Sequence, residues 1–258
     1  MYVHPNLIVL TCSAFVVVCA LSSAVYAYND SLDYEVDRAH PIKCARPVAS
    51  GKITPCNAQI FSALLGLVAL SFAWVIGRAF FAYALIYALL NISYSLKLKH
   101  IPYVDICCIA SGFVLRMLAG AAAIEVKTSF FLFATVFFLS LFMAAGKRGQ
   151  ELKEMRNSAR HVLGLYSQNA IKVIEIVSMV LCCALYAAWV YATYTRGLFP
   201  RVNFLTIPLV VLGFYVYYQN LTRGAYGDPT EIIYSSRTLQ FVLAAYVAVL
   251  AVALLAFR

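Results

Sequence analysis

Apolar residues dominate this chain in long runs, broken at regular intervals by short polar clusters. Runs near 7–28, 57–76, 79–95, 104–124, 129–146, 169–194, 203–220 and 238–257 are each about as long as a helix needs to cross a bilayer core. No alternating apolar–polar pattern competes with them, so a β-barrel is not expected. The pattern predicts an all-α, polytopic membrane helix bundle of about eight transmembrane helices, forming a single domain over 1–258. The first run ends in charged residues with no small-residue cleavage site, which predicts a retained helix and not a signal peptide. Composition agrees: 63% of the residues are hydrophobic and 12% charged, with a mean hydropathy of +0.82, far from a soluble domain.

The polar breaks carry the information. At the end of the first helix stands Asn29-Asp30-Ser31-Leu32-Asp33-Tyr34-Glu35-Val36-Asp37, with four of the chain's 11 carboxylates. Asp30, Asp33 and Asp37 lie at i, i+3 and i+7, which share one helix face. Like charges so placed repel unless a cation sits among them. Oxygen ligands of this kind suit Mg²⁺, which takes the rest of its shell from water and a substrate phosphate. Glu35 points away from this face. The segment from His40 to Gly51, with Pro41 and Pro47, predicts a structured loop. Thr54-Pro55 then reads as an N-cap and first-turn proline, and the short join after 76 predicts an antiparallel helix hairpin.

The net charge of +9 is unevenly placed. Loops on one side hold Arg38, Lys43, Arg46, Lys52, Lys97, Lys99, Lys147, Arg148, Lys153, Arg156, Arg160, Arg223 and Arg237, which is 13 of the 20 Lys and Arg. The positive-inside rule puts that side in the cytoplasm and both ends of this chain opposite. The charge is split among loops without a basic run or aromatic stacking motif, so nucleic acid is not the expected partner. The eight cysteines form no C-x-x-C pair and are expected to be structural.

Two ionisable residues belong to the fourth span. Asp105 stands at its cytosolic end and Arg116 near its middle, on nearly one face but about 16 Å apart along the axis. Charge this deep should face a cavity or a partner. After the fifth span, a loop is expected to begin at Gly146-Lys147-Arg148-Gly149-Gln150-Glu151. Leu152, Met155, Ala159, Val162 and Tyr166 recur at helical spacing there, predicting an amphipathic surface helix that carries Lys153, Arg156 and Arg160 as a connector. Asp228-Pro229-Thr230-Glu231 predicts a capped helix start.

Asn29-Asp30-x-x-Asp33-x-x-x-Asp37, with His40-Pro41-x-Lys43-x-x-Arg46-Pro47-x-x-x-Gly51, resembles the first signature of the intramembrane prenyltransferase superfamily. The resemblance implies a nine-helix bundle around a lipid-lined cavity, with aspartates holding Mg²⁺ and a diphosphate at the cytosolic mouth. This chain would lack the family's first helix. The family's second signature is also acidic, but the matching place here reads Ala145-Gly146-Lys147-Arg148-Gly149-Gln150-Glu151. Together with Tyr94-Ser95-x-x-x-Lys99 up to Asp105, and Gly112-Phe113-Val114-Leu115-Arg116, this is similar to the decaprenyl-phosphate phosphoribosyltransferase branch.

That branch implies transfer of 5-phosphoribose from phosphoribosyl pyrophosphate to a polyprenyl monophosphate, a step toward lipid-linked arabinose for cell-envelope glycans. Asp30, Asp33 and Asp37 would then be the catalytic and metal-binding set. Asn29, Lys43, Arg46, Tyr94, Lys97, Lys99, Asp105, Arg116, Lys147 and Arg148 would bind substrate. The implied setting is a bacterial-type plasma membrane with the active face cytoplasmic. Two other readings stay open: a prenyl diphosphate:aromatic prenyltransferase of the quinone or heme type, and a non-catalytic membrane homologue.

Overall fold

The computed structural model describes residues 5–153, 166–198, 200–223 and 229–256. Every regular element among them is helical. They fall into two compact units: helices α1–α4, and helices α5–α9. Seven of the helices are long and apolar enough to cross a membrane, which makes this a multi-pass membrane protein. The last predicted span is also helical, although its described apolar stretch, Arg237–Ala253, falls short of the other seven.

In the first unit, α1 (Pro5–Arg38) is 34 residues long, or roughly 51 Å at the usual helical rise. A hydrocarbon core is about 30 Å thick, so one end of α1 must project, and the acidic end is the one that water can solvate. Helices α2 (Pro55–Ile76), α3 (Arg78–Leu96) and α4 (Val104–Ala123) complete the unit. Thr54 caps α2 as its sequence predicts, accepting from the Asn57 amide at 3.2 Å, with Pro55 opening the helix. A single residue, Gly77, separates α2 from α3.

Small residues let these helices approach closely. Ala14, Ala24, Ala58, Ala69 and Ala73 are buried, and the Ser62 hydroxyl donates across to the Ala24 carbonyl at 2.7 Å. Leu21, Val25, Phe80 and Tyr87 fill the centre. Large apolar side chains point outward instead, Val75 being 80% exposed. Such exposure is unfavourable in water and natural against lipid.

The second unit comprises α5 (Phe130–Lys153), α6 (Gln168–Thr195), α7 (Thr206–Thr222), the short α8 (Pro229–Ser235) and α9 (Arg237–Ala256). Phe142 packs edge-on against Phe214, with ring centroids 5.1 Å apart, and against Tyr217. Cys182, Leu221, Ile232 and Leu239 close that core. All eight cysteines are free thiols.

One predicted boundary is corrected. The segment from Gly146 to Glu151 is not the start of a loop, because α5 continues through it to Lys153. Its glycines do not break the helix because both are used in packing. A Cβ on Gly146 would meet Leu221, and one on Gly149 would meet the Glu175 carboxylate. The Gln150 amide also donates to the Leu221 carbonyl, and Arg148 pairs with Glu151 one turn on. The amphipathic segment beyond Lys153, with Met155, Arg156, Ala159, Arg160 and Val162, lies outside the described residues, as does the Asp228 cap.

Candidate functional site

The acidic end of α1 is enclosed by two turns of chain. The first is the loop from Ala39 to Thr54, held by backbone and side-chain bonds. His40 Nδ1 accepts from the Ile42 and Lys43 amides, Ser50 N donates to the Arg46 carbonyl at 2.8 Å, and Arg38 Nε donates to the Ala49 carbonyl at 3.2 Å. Gly51 takes φ +80°, a left-handed conformation that glycine adopts without strain. The second turn joins α3 to α4 through the short helical turn Leu98–His100. It ends at Tyr103, whose φ of 66° is uncommon for a bulky residue.

These turns deliver two cations to the acidic face. Arg46 Nη1 lies 2.7 Å from Asp30 Oδ1 and 2.8 Å from Asp37 Oδ2. One nitrogen thus serves two carboxylates set two helical turns apart. Lys99 Nζ lies 2.5 Å from Asp33 Oδ1 and 3.4 Å from Asn29 Oδ1. Asn29 Nδ2 in turn donates to Asp33 Oδ2 at 3.2 Å. Glu35 is exposed and accepts from the Tyr34 hydroxyl.

Asn29, Asp30, Asp33, Asp37, Arg46 and Lys99 therefore form one constellation assembled from three segments. Among the described residues, no three His, Cys, Asp or Glu side chains converge enough to hold an ion by themselves. Repulsion separates the carboxylates, and each takes the cation nearest to it. Two of them, Asp30 and Asp37, do reach a common point, where Arg46 Nη1 stands. That donor set fits Mg²⁺, which uses one or two carboxylates beside water and phosphate oxygens.

The other predicted residues separate into groups. Lys43, Tyr94 and Lys97 lie in or beside the same turns, Lys97 exposed and the other two half-buried. Asp105 is almost fully buried in the first turn of α4, where its carboxylate accepts from the Ile106 amide at 2.7 Å. An acid at that end also suits the helix dipole. Arg116 is deeper in α4. Its guanidinium sits over Phe113 and Tyr87, 4.5 and 5.2 Å from the ring centroids, while its Nε is buried without a hydrogen-bond partner.

Lys147 and Arg148 belong to the second unit. Arg148 is 5% exposed and paired with Glu151 on its own helix. Glu175 was not anticipated; it is buried in α6 against Gly149. A lone carboxylate inside an apolar run is a legible signal of function or partnership.

The second unit also holds an apolar cavity of about 470 Å³, lined by Leu139, Phe142, Met143, Trp189, Phe214 and Val242 among others. Its polar features include the Tyr186 hydroxyl, 2.8 Å from Thr206 Oγ1 and 3.2 Å from the Tyr246 hydroxyl. The size suits a small-molecule or lipid-chain site.

Residues 2–236 match the UbiA prenyltransferase family. This chain belongs to that family. It is accordingly a membrane-bound transferase by descent. The chain is 29% identical to the decaprenyl-phosphate phosphoribosyltransferase of Mycolicibacterium smegmatis, over 93% of this chain and 79% of the relative. It is 32% identical to the enzyme of the same name from Corynebacterium glutamicum, over 91% and 72%. A solved UbiA homologue from Archaeoglobus fulgidus, bound to GPP and Mg²⁺, shares the fold with a TM-score of 0.73, covering 96% of this chain and 87% of the homologue at 18% identity.

Proposed function

We propose that this chain transfers 5-phosphoribose from phosphoribosyl pyrophosphate to a polyprenyl monophosphate, at the acidic end of α1. The observation that carries the reading is the mixed-charge constellation: three aspartates interleaved with Arg46 and Lys99. Acids alone would suit one metal-bound diphosphate. Acids with interleaved cations suit a reaction that must gather several phosphates in one place. The similarity to the mycobacterial and corynebacterial phosphoribosyltransferases supports the same choice.

In this reading Asp30 and Asp37 hold Mg²⁺, with Asp33 completing the acidic face. When bound, the ion supplies charge stabilisation for the departing pyrophosphate. Arg46 and Lys99 orient the donor's phosphates. The C1–O bond to pyrophosphate breaks and a bond from the acceptor's phosphate oxygen to C1 forms. That oxygen is already an anion, so no general base is required. Arg116 and Lys43 are assigned to further anion contacts. The active face is cytoplasmic, by the charge asymmetry of the loops.

The test is a donor and acceptor exchange on membranes containing the protein. Labelled phosphoribosyl pyrophosphate with polyprenyl monophosphate should yield labelled lipid, while prenyl diphosphate with 4-hydroxybenzoate should yield nothing. Prenylation of the aromatic acid without ribose transfer would replace this reading with the aromatic prenyltransferase one. Cys44, exposed in the Arg46 loop, should react with thiol reagents from the cytoplasmic side in a background without the other cysteines.

A further inference from the structure

We propose that Arg46 is a resident counter-cation that competes with the divalent metal for Asp30 and Asp37, and that it yields its place only when the metal arrives with a diphosphate. This inference rests on the proposed metal–diphosphate role of the acidic face, and it concerns the order and selectivity of loading.

The geometry gives the reason. A single nitrogen, Arg46 Nη1, stands within 2.8 Å of oxygens from both carboxylates. A metal using those two oxygens would need the same space. The Asp37 side chain is only 5% exposed, so Arg46 cannot leave without stranding a buried anion, a costly arrangement. Departure must therefore be an exchange of one cation for another.

The two cations differ in how easily they can be exchanged. The Arg46 side chain is 39% exposed and that of Lys99 is 8% exposed. Solvent screens and competes for the arginine, whereas the lysine is enclosed with Asp33. Arg46 is thus the mobile partner and Lys99 the fixed one. The backbone beneath Arg46 is held: its amide donates to the Lys43 carbonyl at 3.0 Å and its carbonyl accepts from Ser50 N at 2.8 Å. The side chain can swing while the loop stays in place. A guanidinium released beside an arriving diphosphate has a planar fork suited to that anion. Metal and diphosphate then bind cooperatively, while metal alone meets competition. The device selects the metal–diphosphate complex over free metal.

The experiment measures Mn²⁺ binding, as a spectroscopic substitute for Mg²⁺, to purified full-length chain by electron paramagnetic resonance without donor. Wild type should bind weakly, and Arg46→Gln at least ~10-fold more tightly, as expected from removing a competing charged contact. Arg46→Lys should fall between them. Equal or weaker binding by a cooperatively folding Arg46→Gln protein would overturn the exchange. A wild-type structure with Mg²⁺ and inorganic pyrophosphate decides the point without any variant. Arg46 should then be away from Asp30 and Asp37, and Arg46 still bridging them would overturn the proposal. Mn²⁺ affinity unchanged in an Asp30→Asn/Asp37→Asn double variant would remove the metal reading underneath it, a failure distinct from that of the exchange.

Discussion

The acidic end of α1 and the cationic end of α5 carry opposite charge patterns, and the Arg148–Glu151 pair of the second spans far less of the chain than the pairs of the first. At α1 the partners come from elsewhere in the sequence: Arg46 is nine residues from Asp37, and Lys99 is 66 from Asp33. At α5, Arg148 pairs with Glu151 on the next turn of its own helix. A local pair is available to any isolated helix and mostly supports the helix. A pair assembled from distant segments exists only because the fold brings those segments together. The difference teaches that counting charges in a motif is a weak guide to a site. Where each charge finds its partner is the better one.

The largest effect that could break this comparison is on turnover. Asp30→Asn or Asp37→Asn should each lower ribose transfer by at least ~10²-fold, a few kcal/mol of lost transition-state stabilisation. Steady-state assay of labelled lipid is the check, and near-normal rates in both variants would place the chemistry elsewhere. Next comes stability. Lys99→Met should cost about 3 kcal/mol, because it leaves the mostly enclosed Asp33 without its cation, and added Mg²⁺ should not restore it. Arg46→Gln strands the more deeply buried Asp37 and should cost about as much, but here millimolar Mg²⁺ should recover the loss by binding the native site. Denaturation in a fixed detergent, with and without Mg²⁺, separates the two.

At α5, Gly149→Ala should destabilise by about 1–3 kcal/mol through overpacking. The new methyl would stand 2.8 Å from Glu175 Oε1, so the buried carboxylate would have to move. An unchanged melting curve would show that Glu175 has room the packing does not suggest. The smallest effect is expected at Glu35. It lies within the acidic segment but is exposed and bonded to Tyr34, so Glu35→Gln should change stability by no more than about 0.5 kcal/mol. A loss comparable to Asp37→Asn would mean that the segment's total charge matters and its face does not.

Much of this was legible in the chain itself. Apolar runs of bilayer length foretold the helices, and Thr54-Pro55 foretold where α2 begins. The i, i+3, i+7 spacing placed Asp30, Asp33 and Asp37 on one face, and the Asn29–Gly51 signature pointed to the family. The partners of those aspartates were not legible. Arg46 and Lys99 were recognised as anion contacts, but nothing in their spacing says that carboxylates of the same protein are their neighbours here. The end of α5 was not legible either. Gly146 and Gly149 look like helix breakers until Leu221 and Glu175 appear beside them, and that contact depends on how three helices pack. Glu175 itself is visible in the sequence as a carboxylate in an apolar run.

The most direct test of the account is equilibrium binding of labelled phosphoribosyl pyrophosphate to the purified chain, with Mg²⁺ and then with the metal chelated. The account predicts saturable binding that needs Mg²⁺ and is lost in the Asp30→Asn/Asp37→Asn double variant, while Glu35→Gln binds as wild type does. Binding that persists without metal, or that survives loss of both aspartates, would contradict the assignment of the donor's diphosphate to the acidic end of α1.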